Sequence, residues 1–267
     1  MPVPEGHTVH RNAREHLARF GGTAVHVTSP QGRFVDGAAL LSGRPLCTAE
    51  AYGKHLFLGF PDQRWLHVHL GLYGHWTFGT SPAPVPRGAL RVRLEGNGSF
   101  ADLRGPTACE VWTPVEKAVL EARLGPDPLR PRPRGDDAWD RLSRSRSAVG
   151  QLLMDQAVVA GVGNVYRAEV LFRAAVSPFR PGSLVTRPEW DAMWVDLVTL
   201  MKAGLRAGRI VTTRPAHRDR PAGRIRRDDA HYVYRRTGLP CRVCRTPVAT
   251  AVMAGRNLFW CPRCQAA

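Results

Sequence analysis

The chain has 267 residues, 43% of them hydrophobic, which is enough apolar material for one large core or two modest ones with a small appended module. This composition argues against a disordered or fibrous chain. A formal charge of +16 at pH 7 favours a polyanionic partner, and nucleic acid is the expected one. No run approaches the ~18 apolar residues that span a bilayer, and the first twenty residues lack the apolar centre of a signal peptide. We therefore expect no membrane association and a cytoplasmic, nucleoid-associated protein.

The first predicted element is a short amphipathic helix. Apolar residues recur there at helical spacing, before the double glycine at positions 21 and 22: Val9, Ala13, Leu17 and Phe20. From residue 23 to about 112 the pattern changes to short alternating or apolar runs separated by turns, with a Pro-rich loop at 80–88. This spacing predicts a β-sandwich or barrel.

The second half of the chain has helical periodicity. It follows a Pro-rich stretch, GPDPLRPRPRGDD, that is typical of a domain linker. The run SAVGQLLMDQAVV, the turn AGVG and the run NVYRAEVLFRAA predict a helix-two-turn-helix, and a longer helix should extend from Pro188 to about Ala207. Residues 208–236 are dense in arginine, and their composition fits a phosphate-facing loop and a merely solvated loop equally well.

The cysteines point to a metal site. Cys47 and Cys109 stand alone in apolar stretches and are expected to be buried thiols. The other four form two C-x2-C pairs separated by sixteen residues: Cys241, Cys244, Cys261 and Cys264. Paired knuckles at this spacing favour one tetrahedral Zn²⁺ over disulfides, and four protein ligands make the zinc structural. The residues between the pairs predict a β-hairpin with Arg256 at its tip, where it could clamp a phosphate or be an ordinary turn residue.

These elements together predict an α+β fold in four parts. Residues 1–125 should form a β-sandwich domain with a leading helix, and residues 126–137 a linker. Residues 138–230 should form a helical domain with the helix-two-turn-helix. Residues 231–267 should form the four-cysteine zinc ribbon.

Five motifs occur in an order that resembles a known family: PEGHTVHR, GKHL, HLGLYG, DQAVVAGVGNVYRAEVL and the terminal GRNLFWCPRCQ. The chain resembles the formamidopyrimidine-DNA glycosylase and endonuclease VIII family over essentially its whole length. The resemblance implies an enzyme that flips a damaged base out of duplex DNA, excises it and nicks the strand by β- or β,δ-elimination. No small-molecule cofactor beyond zinc is implied, and we expect a monomer.

The family's nucleophile is an amino-terminal proline exposed by methionine removal, followed by a glutamate that handles protons at the sugar. An α-amino group suits this role because its pKa of about 7.7–8.0 leaves a usable neutral fraction near pH 7. This chain departs from the family pattern, since it begins Met1-Pro2-Val3-Pro4-Glu5-Gly6. Pro4 and Glu5 have the family's neighbours, and translation from a GTG codon at Val3 would expose Pro4. If Met1 is the start, Pro2 carries the amine, or the lyase chemistry is lost. A helix first turn is the structural alternative for Pro4 and Glu5.

The resemblance assigns further site residues. Lys54 matches the lysine that reaches the phosphate or sugar beside the lesion, although a solvated turn lysine is the alternative. Leu72 and Tyr73 match the loop that fills the space of the flipped base, although both could be core residues, and the Leu-Tyr pair is similar to the endonuclease VIII branch. Arg104 aligns approximately with a void-filling arginine loop. Asn164 either donates to a DNA phosphate or only caps its helix.

The implied function is that of a bifunctional DNA glycosylase and abasic-site lyase acting on damaged double-stranded DNA, with oxidised pyrimidines preferred because of Leu72 and Tyr73. The alternative is a catalytically silent, lesion-binding or regulatory zinc-ribbon protein. A plain zinc-ribbon transcription accessory factor would not explain the PEG, GKHL and HLGLYG motifs together.

Overall fold

The protein is described by a computed structural model that covers residues 4–219 and 225–266. The chain forms two compact units, of which the first ends at Arg123 and the second begins at Leu124. Residues 220–224, within the arginine-dense segment, lie outside the described residues.

The first unit is built from antiparallel strands with helices at both ends of its chain. Its described elements are α1 Gly6–Phe20, β1 Ala24–Thr28, α2 Val35–Leu41, β2 Arg44–Pro45, β3 Thr48–Tyr52, β4 His55–Phe60, β5 Arg64–His69, β6 His75–Thr80, β7 Leu90–Gly96, β8 Ser99–Arg104, β9 Ala108–Trp112 and α3 Pro114–Arg123.

Two antiparallel sheets share one apolar core in this unit. The five-stranded sheet has the order β2-β1-β7-β8-β6, and the four-stranded sheet has the order β3-β4-β5-β9. Alternation along the strands places one face of each sheet toward the core. In the four-stranded sheet, Leu56 pairs with Val68 and Leu58 with Leu66, and all four side chains are fully buried. The opposite face of this sheet carries the polar and aromatic side chains of the same strands, among them His55 and His67.

Helix α1 covers part of the same core. Val9, Ala13 and Phe20 are buried as predicted, but Leu17 is 45% exposed, so the expectation that it faces the core was wrong. The ring of His16 takes a fully buried position on the helix, edge-on to Trp76 at 4.3 Å between ring centroids, and its Nδ1 donates to the Asn12 carbonyl at 2.7 Å. The backbone thus satisfies one ring nitrogen, which lowers the cost of burying a polar ring, while Nε2 has no hydrogen-bond partner among the described residues.

The second unit is helical with a terminal β-hairpin. Its described elements are α4 Gly135–Leu142, α5 Val149–Leu152, α6 Asn164–Arg173, α7 Arg187–Ala207, β10 Ala249–Met253 and β11 Arg256–Trp260, together with short 3-10 helices at Gly182–Leu184 and Pro215–His217. Thr186 and Glu189 form a capping box at the start of α7, and Gly208 ends it in the left-handed conformation.

The predicted helix before the AGVG turn is much shorter than its periodicity indicates. Helix α5 ends at Leu152, and two polar side chains then bind the backbone of the following turns. Asp155 accepts from the Ala157 amide at 2.9 Å. The Gln156 side chain bonds the carbonyls of Met154 and Val162 and the amide of Gly161. These local bonds compete with helical bonds, which is why the apolar spacing alone overestimates the helix.

The observed architecture confirms the predicted α+β class with a leading helix, two antiparallel sheets, a helical region and a terminal hairpin. Cys109 is buried, and burial raises the pKa of its thiol to about 12. Cys47 is exposed, so its predicted burial was wrong. Within the described ranges, no helix combines the length and the apolar character needed to cross a membrane.

Candidate active site and nucleic-acid interface

The amino-terminal motif leads directly into α1. Pro4 is half-buried, and Glu5 is the residue before the helix, with an extended backbone and a side chain that is only 1% exposed. The Glu5 carbonyl accepts from the Thr8 amide at 2.9 Å, but its side chain makes no capping bond within the described part of the chain. Glu5 is therefore a buried carboxylate at the amino end of α1, where the helix dipole also favours an acidic residue, and its side chain does not cap the helix. Pro2 lies outside the described residues.

Lys54 lies in a tight turn between two paired strands. Gly53 and Lys54 join β3 to β4, and Gly53 has a φ of +58°. The strands close immediately around the turn, because Tyr52 pairs with His55. The lysine side chain is half-buried, and its charge lowers the pKa of His69, although burial of that ring is the larger cause. The turn therefore places a half-buried ammonium group near the rings of His55 and His69.

The turn between β5 and β6 carries two exposed apolar side chains. Leu72 is 38% exposed and Tyr73 80% exposed, so the alternative that both are core residues is wrong. The Gly74 amide donates to the Leu70 carbonyl at 2.9 Å and closes the turn. Gly71 has a φ of +65°, and a Cβ there would lie 1.9 Å from the Thr107 hydroxyl, so the site requires glycine. A rigid turn that holds a bulky apolar pair in solvent is suited to inserting into a base stack.

Arg104 ends β8 and is held by an ion pair. Its Nη2 donates to Asp102 Oδ2 at 3.0 Å, while Arg93 donates to both oxygens of the same buried carboxylate at 2.7 and 2.9 Å. The side-chain hydrogen bond from Arg93 to Asp102 raises the pKa of Arg93. Arg104 is followed by Gly105, where a Cβ would lie 3.6 Å from the Tyr73 carbonyl, so this end of β8 lies beside the apolar turn.

In the second unit, Asn164 and the hairpin are linked. Asn164 is the first residue of α6 rather than its cap, which is Gly163. Its Nδ2 donates to the Asn257 carbonyl at 2.9 Å, and its Oδ1 accepts from Arg167, whose guanidinium is fully buried. The side chain thus binds the hairpin, and the capping alternative is not observed. Arg256 is exposed and follows the two-residue turn that joins β10 to β11.

The four predicted metal ligands come together. The sulfur atoms of Cys241, Cys244, Cys261 and Cys264 all lie within 4.8 Å of one another. Cys241 and Cys264 Sγ are 3.9 Å apart, and Cys244 and Cys261 Sγ are 3.4 Å apart. A tetrahedral Zn²⁺ with bonds near 2.3 Å requires sulfur separations of about 3.8 Å, and disulfides would be near 2.05 Å. The four thiols therefore fit one structural zinc, as predicted.

The structure also shows two features of these regions that the sequence pattern does not predict. Three histidines cluster on the outer face of the four-stranded sheet, where HVH in β5 places two of them on one face. Glu169, on the buried face of α6, accepts from three consecutive backbone amides, those of Tyr232, Val233 and Tyr234. An acidic residue between apolar neighbours in NVYRAEVLF was the available signal.

Comparison with known proteins finds three domain families along the chain. The formamidopyrimidine-DNA glycosylase N-terminal domain matches residues 1–109, the H2TH domain of the same proteins matches 124–215, and the zinc finger found in FPG and IleRS matches 238–267. "Endonuclease 8 1" of Mycobacterium tuberculosis is 52% identical over 98% of this chain and 100% of its own length. A formamidopyrimidine-DNA glycosylase of Methylococcus capsulatus is 33% identical over 99% of this chain and 100% of its own.

Solved structures of similar fold come from Lactococcus lactis. A complex of its Fpg protein with a THF-DNA and an inhibitor has a TM-score of 0.82 at 21% identity, covering 99% of this chain and 100% of that one. A complex of the same protein with an oxidised pyrimidine containing DNA has a TM-score of 0.83 at the same identity and coverage. The domain matches and the 52% identity together show that this chain belongs to the formamidopyrimidine-DNA glycosylase and endonuclease VIII family, on the endonuclease VIII branch.

Proposed function

We propose that this protein is a bifunctional DNA glycosylase and abasic-site lyase of base excision repair that acts on damaged double-stranded DNA. The observation that carries the proposal is the exposed Leu72-Tyr73 pair on a rigid glycine turn, in a family member with a net charge of +16. The charge favours association with the phosphate backbone, and the apolar pair compensates the stacking lost when a base leaves the duplex.

The chemistry begins with an amine at the amino terminus, on Pro4 or on Pro2. The neutral amine attacks the deoxyribose C1′, and the electron pair of the glycosidic bond leaves with the base, which takes up a proton. The attached amine then loses its proton, and the C1′–O4′ bond breaks with protonation of O4′, so the sugar ring opens and an iminium forms at C1′. The iminium acidifies the C2′ hydrogens, so loss of one proton expels the 3′ phosphate by β-elimination, and water then hydrolyses the iminium and releases the enzyme. We assign proton transfer at the sugar to Glu5, because its buried carboxylate follows Pro4 directly.

The remaining site residues hold the DNA. Lys54, in its tight turn, contacts the phosphate or sugar beside the lesion. Arg104, at the end of β8, helps to fill the space that the flipped base leaves beside Tyr73. In the second unit, Asn164 and Arg256 contact the DNA phosphate backbone together. They are linked, because the Asn164 side-chain amide donates to the carbonyl of Asn257, the residue after Arg256. The structural zinc keeps the Arg256 hairpin in place, and the reaction uses no further cofactor.

The finer assignments follow from the same residues. We propose oxidised pyrimidines as the preferred lesions, on the basis of the Leu72-Tyr73 pair. We also propose a monomer that acts at the nucleoid, where its substrate lies. We propose that the chain has four parts: a catalytic domain at 1–125, a linker at 126–137, a helical DNA-binding domain at 138–230 and a zinc ribbon at 231–267.

Borohydride trapping tests the lyase directly. Two versions of the chain, one begun at Met1 and one begun at position 3, are incubated with a duplex carrying one abasic site and reduced, and the crosslinked peptide is identified by mass spectrometry. A crosslink at Pro4 supports the lyase and translation from position 3, and a crosslink at Pro2 supports the lyase at a different amine. DNA binding without a crosslink from either version would refute the lyase and favour a silent lesion-binding protein.

Substitution of the apolar turn tests base flipping separately. Tyr73→Ala should slow excision of an oxidised pyrimidine from duplex DNA about tenfold, because base–aromatic stacking is worth about 1–3 kcal/mol. Cleavage at a preformed abasic site should change less, since no base has to leave the stack. Val85→Ala is the matched control, because Val85 is equally exposed, at 76%, in the loop between β6 and β7. Equal loss in both assays would contradict the wedge assignment.

A further inference from the structure

Three histidine rings adjoin one another on the outer face of the four-stranded sheet. His55 of β4 lies opposite His69 of β5, and Phe57 lies opposite His67, so the three rings share one face. The centroids of His55 and His69 are 4.8 Å apart, and those of His55 and His67 are 5.2 Å apart. The cluster therefore joins the strand that follows the Lys54 turn to the strand that precedes the Leu72-Tyr73 turn.

A hydrogen bond inside the cluster fixes the ring of His55. His55 Nδ1 and His67 Nε2 are 2.9 Å apart. The His67 ring is itself held, because it stacks on Trp112 at 3.8 Å between centroids and is only 3% exposed. Its Nδ1 has no hydrogen-bond partner in the described part of the protein, and the nearest carboxylate oxygen, from Glu110, is 3.7 Å away.

The unpartnered Nδ1 indicates where the proton lies. A buried nitrogen without a partner costs less as an acceptor than as a donor with no acceptor, so the His67 proton belongs on Nε2, where it is donated to His55. Burial lowers the pKa of His55 to about 3 and that of His67 to about 4, so both rings are neutral near pH 7. A neutral ring bonds its neighbour without adding a second positive charge beside Lys54.

We propose that His55, held by His67, is a positioning residue that orients the adjacent Lys54 turn for its contact with the DNA backbone. The inference rests on the proposed function of Lys54. The chain connection supports it, since Tyr52 and His55 are the paired residues that close the turn, and a fixed His55 ring restricts the two residues between them. A phenylalanine at position 67 would pack similarly but would remove the hydrogen bond to the His55 ring.

The first test compares two variants of His67 that separate packing from hydrogen bonding. His67→Phe keeps a ring against Trp112 and removes the hydrogen bond. His67→Gln removes the ring but can place a donor where Nε2 lies. The single-turnover excision rate on a duplex with one oxidised pyrimidine should fall about tenfold in His67→Phe, which is the scale expected for one neutral hydrogen bond. It should stay within about twofold of the wild-type rate in His67→Gln.

The second test asks whether the effect acts through Lys54. In a Lys54→Ala background, His67→Phe should add less than about a twofold further loss, because the group being positioned is gone. His26→Phe is the control, since this exposed histidine lies on β1 of the other sheet and should leave the rate unchanged. Full additivity, an unchanged rate in His67→Phe or an equal loss in His67→Gln would overturn the proposal. If His67→Phe does not fold, His55→Phe breaks the same bond and is judged by the same outcomes.

A third measurement is independent of activity. The chain has three lysines, Lys54, Lys117 and Lys202, so lysine labelled with ¹³C at Cε gives a simple NMR spectrum, and Lys54→Arg assigns the Lys54 signal. His67→Phe should shift or broaden the Lys54 signal without DNA and leave Lys202, on α7, unchanged as the reference. An unchanged Lys54 signal would overturn the positioning role even if the enzyme is active. If the wild-type protein has no excision activity but the Lys54 signal still changes in His67→Phe, the positioning role is supported and the proposed function is contradicted.

Discussion

Glu169 should hold the start of the zinc-ribbon region to helix α6. Its carboxylate is fully buried and accepts four donors. The Tyr232 amide binds Oε2 at 2.7 Å, together with the Thr212 hydroxyl, and the Val233 and Tyr234 amides bind Oε1 at 2.9 Å. Three successive amides converging on one carboxylate form an anion-binding concavity that the carboxylate fills.

Glu169→Gln keeps the volume of the side chain but replaces one of the two accepting oxygens with a donor, so part of this set of hydrogen bonds is lost. In its least costly orientation the new amide group donates to the Thr212 hydroxyl and leaves the Tyr232 amide without an acceptor, while the other bonds lose their charge assistance. One orphaned buried amide costs about 1–3 kcal/mol, and charge-assisted bonds are roughly twice as strong as neutral ones, so we expect a loss of about 3 kcal/mol. For a unit of this size, that corresponds to a fall in Tm of roughly 6–12 °C.

Thermal unfolding and amide hydrogen exchange test this expectation. Glu169→Gln should unfold at lower temperature, and the amides of Tyr232, Val233 and Tyr234 should lose protection first. Asp140→Asn is the control, because Asp140 is exposed on α4 of the same unit and its substitution should change the stability by less than about 0.5 kcal/mol. Equal Tm values and unchanged protection of the three amides in Glu169→Gln would refute the reasoning.

Three further predictions follow from buried charge, buried imidazole and the metal. Arg93→Met should cost about 3–5 kcal/mol in urea unfolding, since it leaves the buried Asp102 without its bidentate partner, and Arg104→Met should cost less because Arg104 is more exposed. Burial lowers the pKa of His16 from 6.5 to about 4, so the unfolded chain takes up this proton first. The contribution of the neutral ring to the free energy of unfolding should be complete above pH 6.5. It should be lost as the pH falls from 6.5 to 4, and by pH 5 the loss should be on the order of 1–2 kcal/mol per buried ring. Cys244→Ser should lower zinc retention, measured by metal analysis of the purified protein, and weaken DNA binding through the hairpin.

Each of these predictions has a result that would contradict it. Equal losses in Arg93→Met and Arg104→Met would show that burial of the ion pair does not decide its contribution. His16→Gln should flatten the slope of stability against pH, and an unchanged slope would remove His16 from the explanation. Full zinc content in Cys244→Ser, or unchanged DNA binding after chelation of the wild-type protein, would contradict the role assigned to the metal.

Local signals predicted the elements whose stabilising partners are near in sequence. The capping box of Thr186 and Glu189 and the left-handed Gly208 bound α7 within a few residues, and the long helix predicted after Pro188 is observed. The two C-x2-C pairs specify their own geometry, because each knuckle brings two thiolates together and a hairpin returns the chain. The order of motifs was sufficient to identify the family.

Periodicity was less informative where polar side chains bind the backbone or where a sheet face is covered. Asp155 and Gln156 end the helix that apolar spacing predicts, because their hydrogen bonds depend on turns that the pattern does not describe. Alternation in β5 does not reveal that the outer face is covered as well. That cover includes Lys117 of α3, whose ammonium lies 4.7 Å from the Trp65 ring and 3.2 Å from Glu50.

The sequence by itself determined the fold class, the zinc ligands and the family, and it supplied the residues that are proposed to carry the chemistry. Only the tertiary structure decided which side chains those residues touch: Asn164 binds the hairpin instead of capping α6, Leu72 and Tyr73 are held in solvent, and His67 bonds His55 beside the Lys54 turn. The physical reason is the range of the interactions. Caps, knuckles and turns are completed within a few residues, whereas a buried carboxylate or imidazole is stabilised by partners that only folding brings within hydrogen-bond distance.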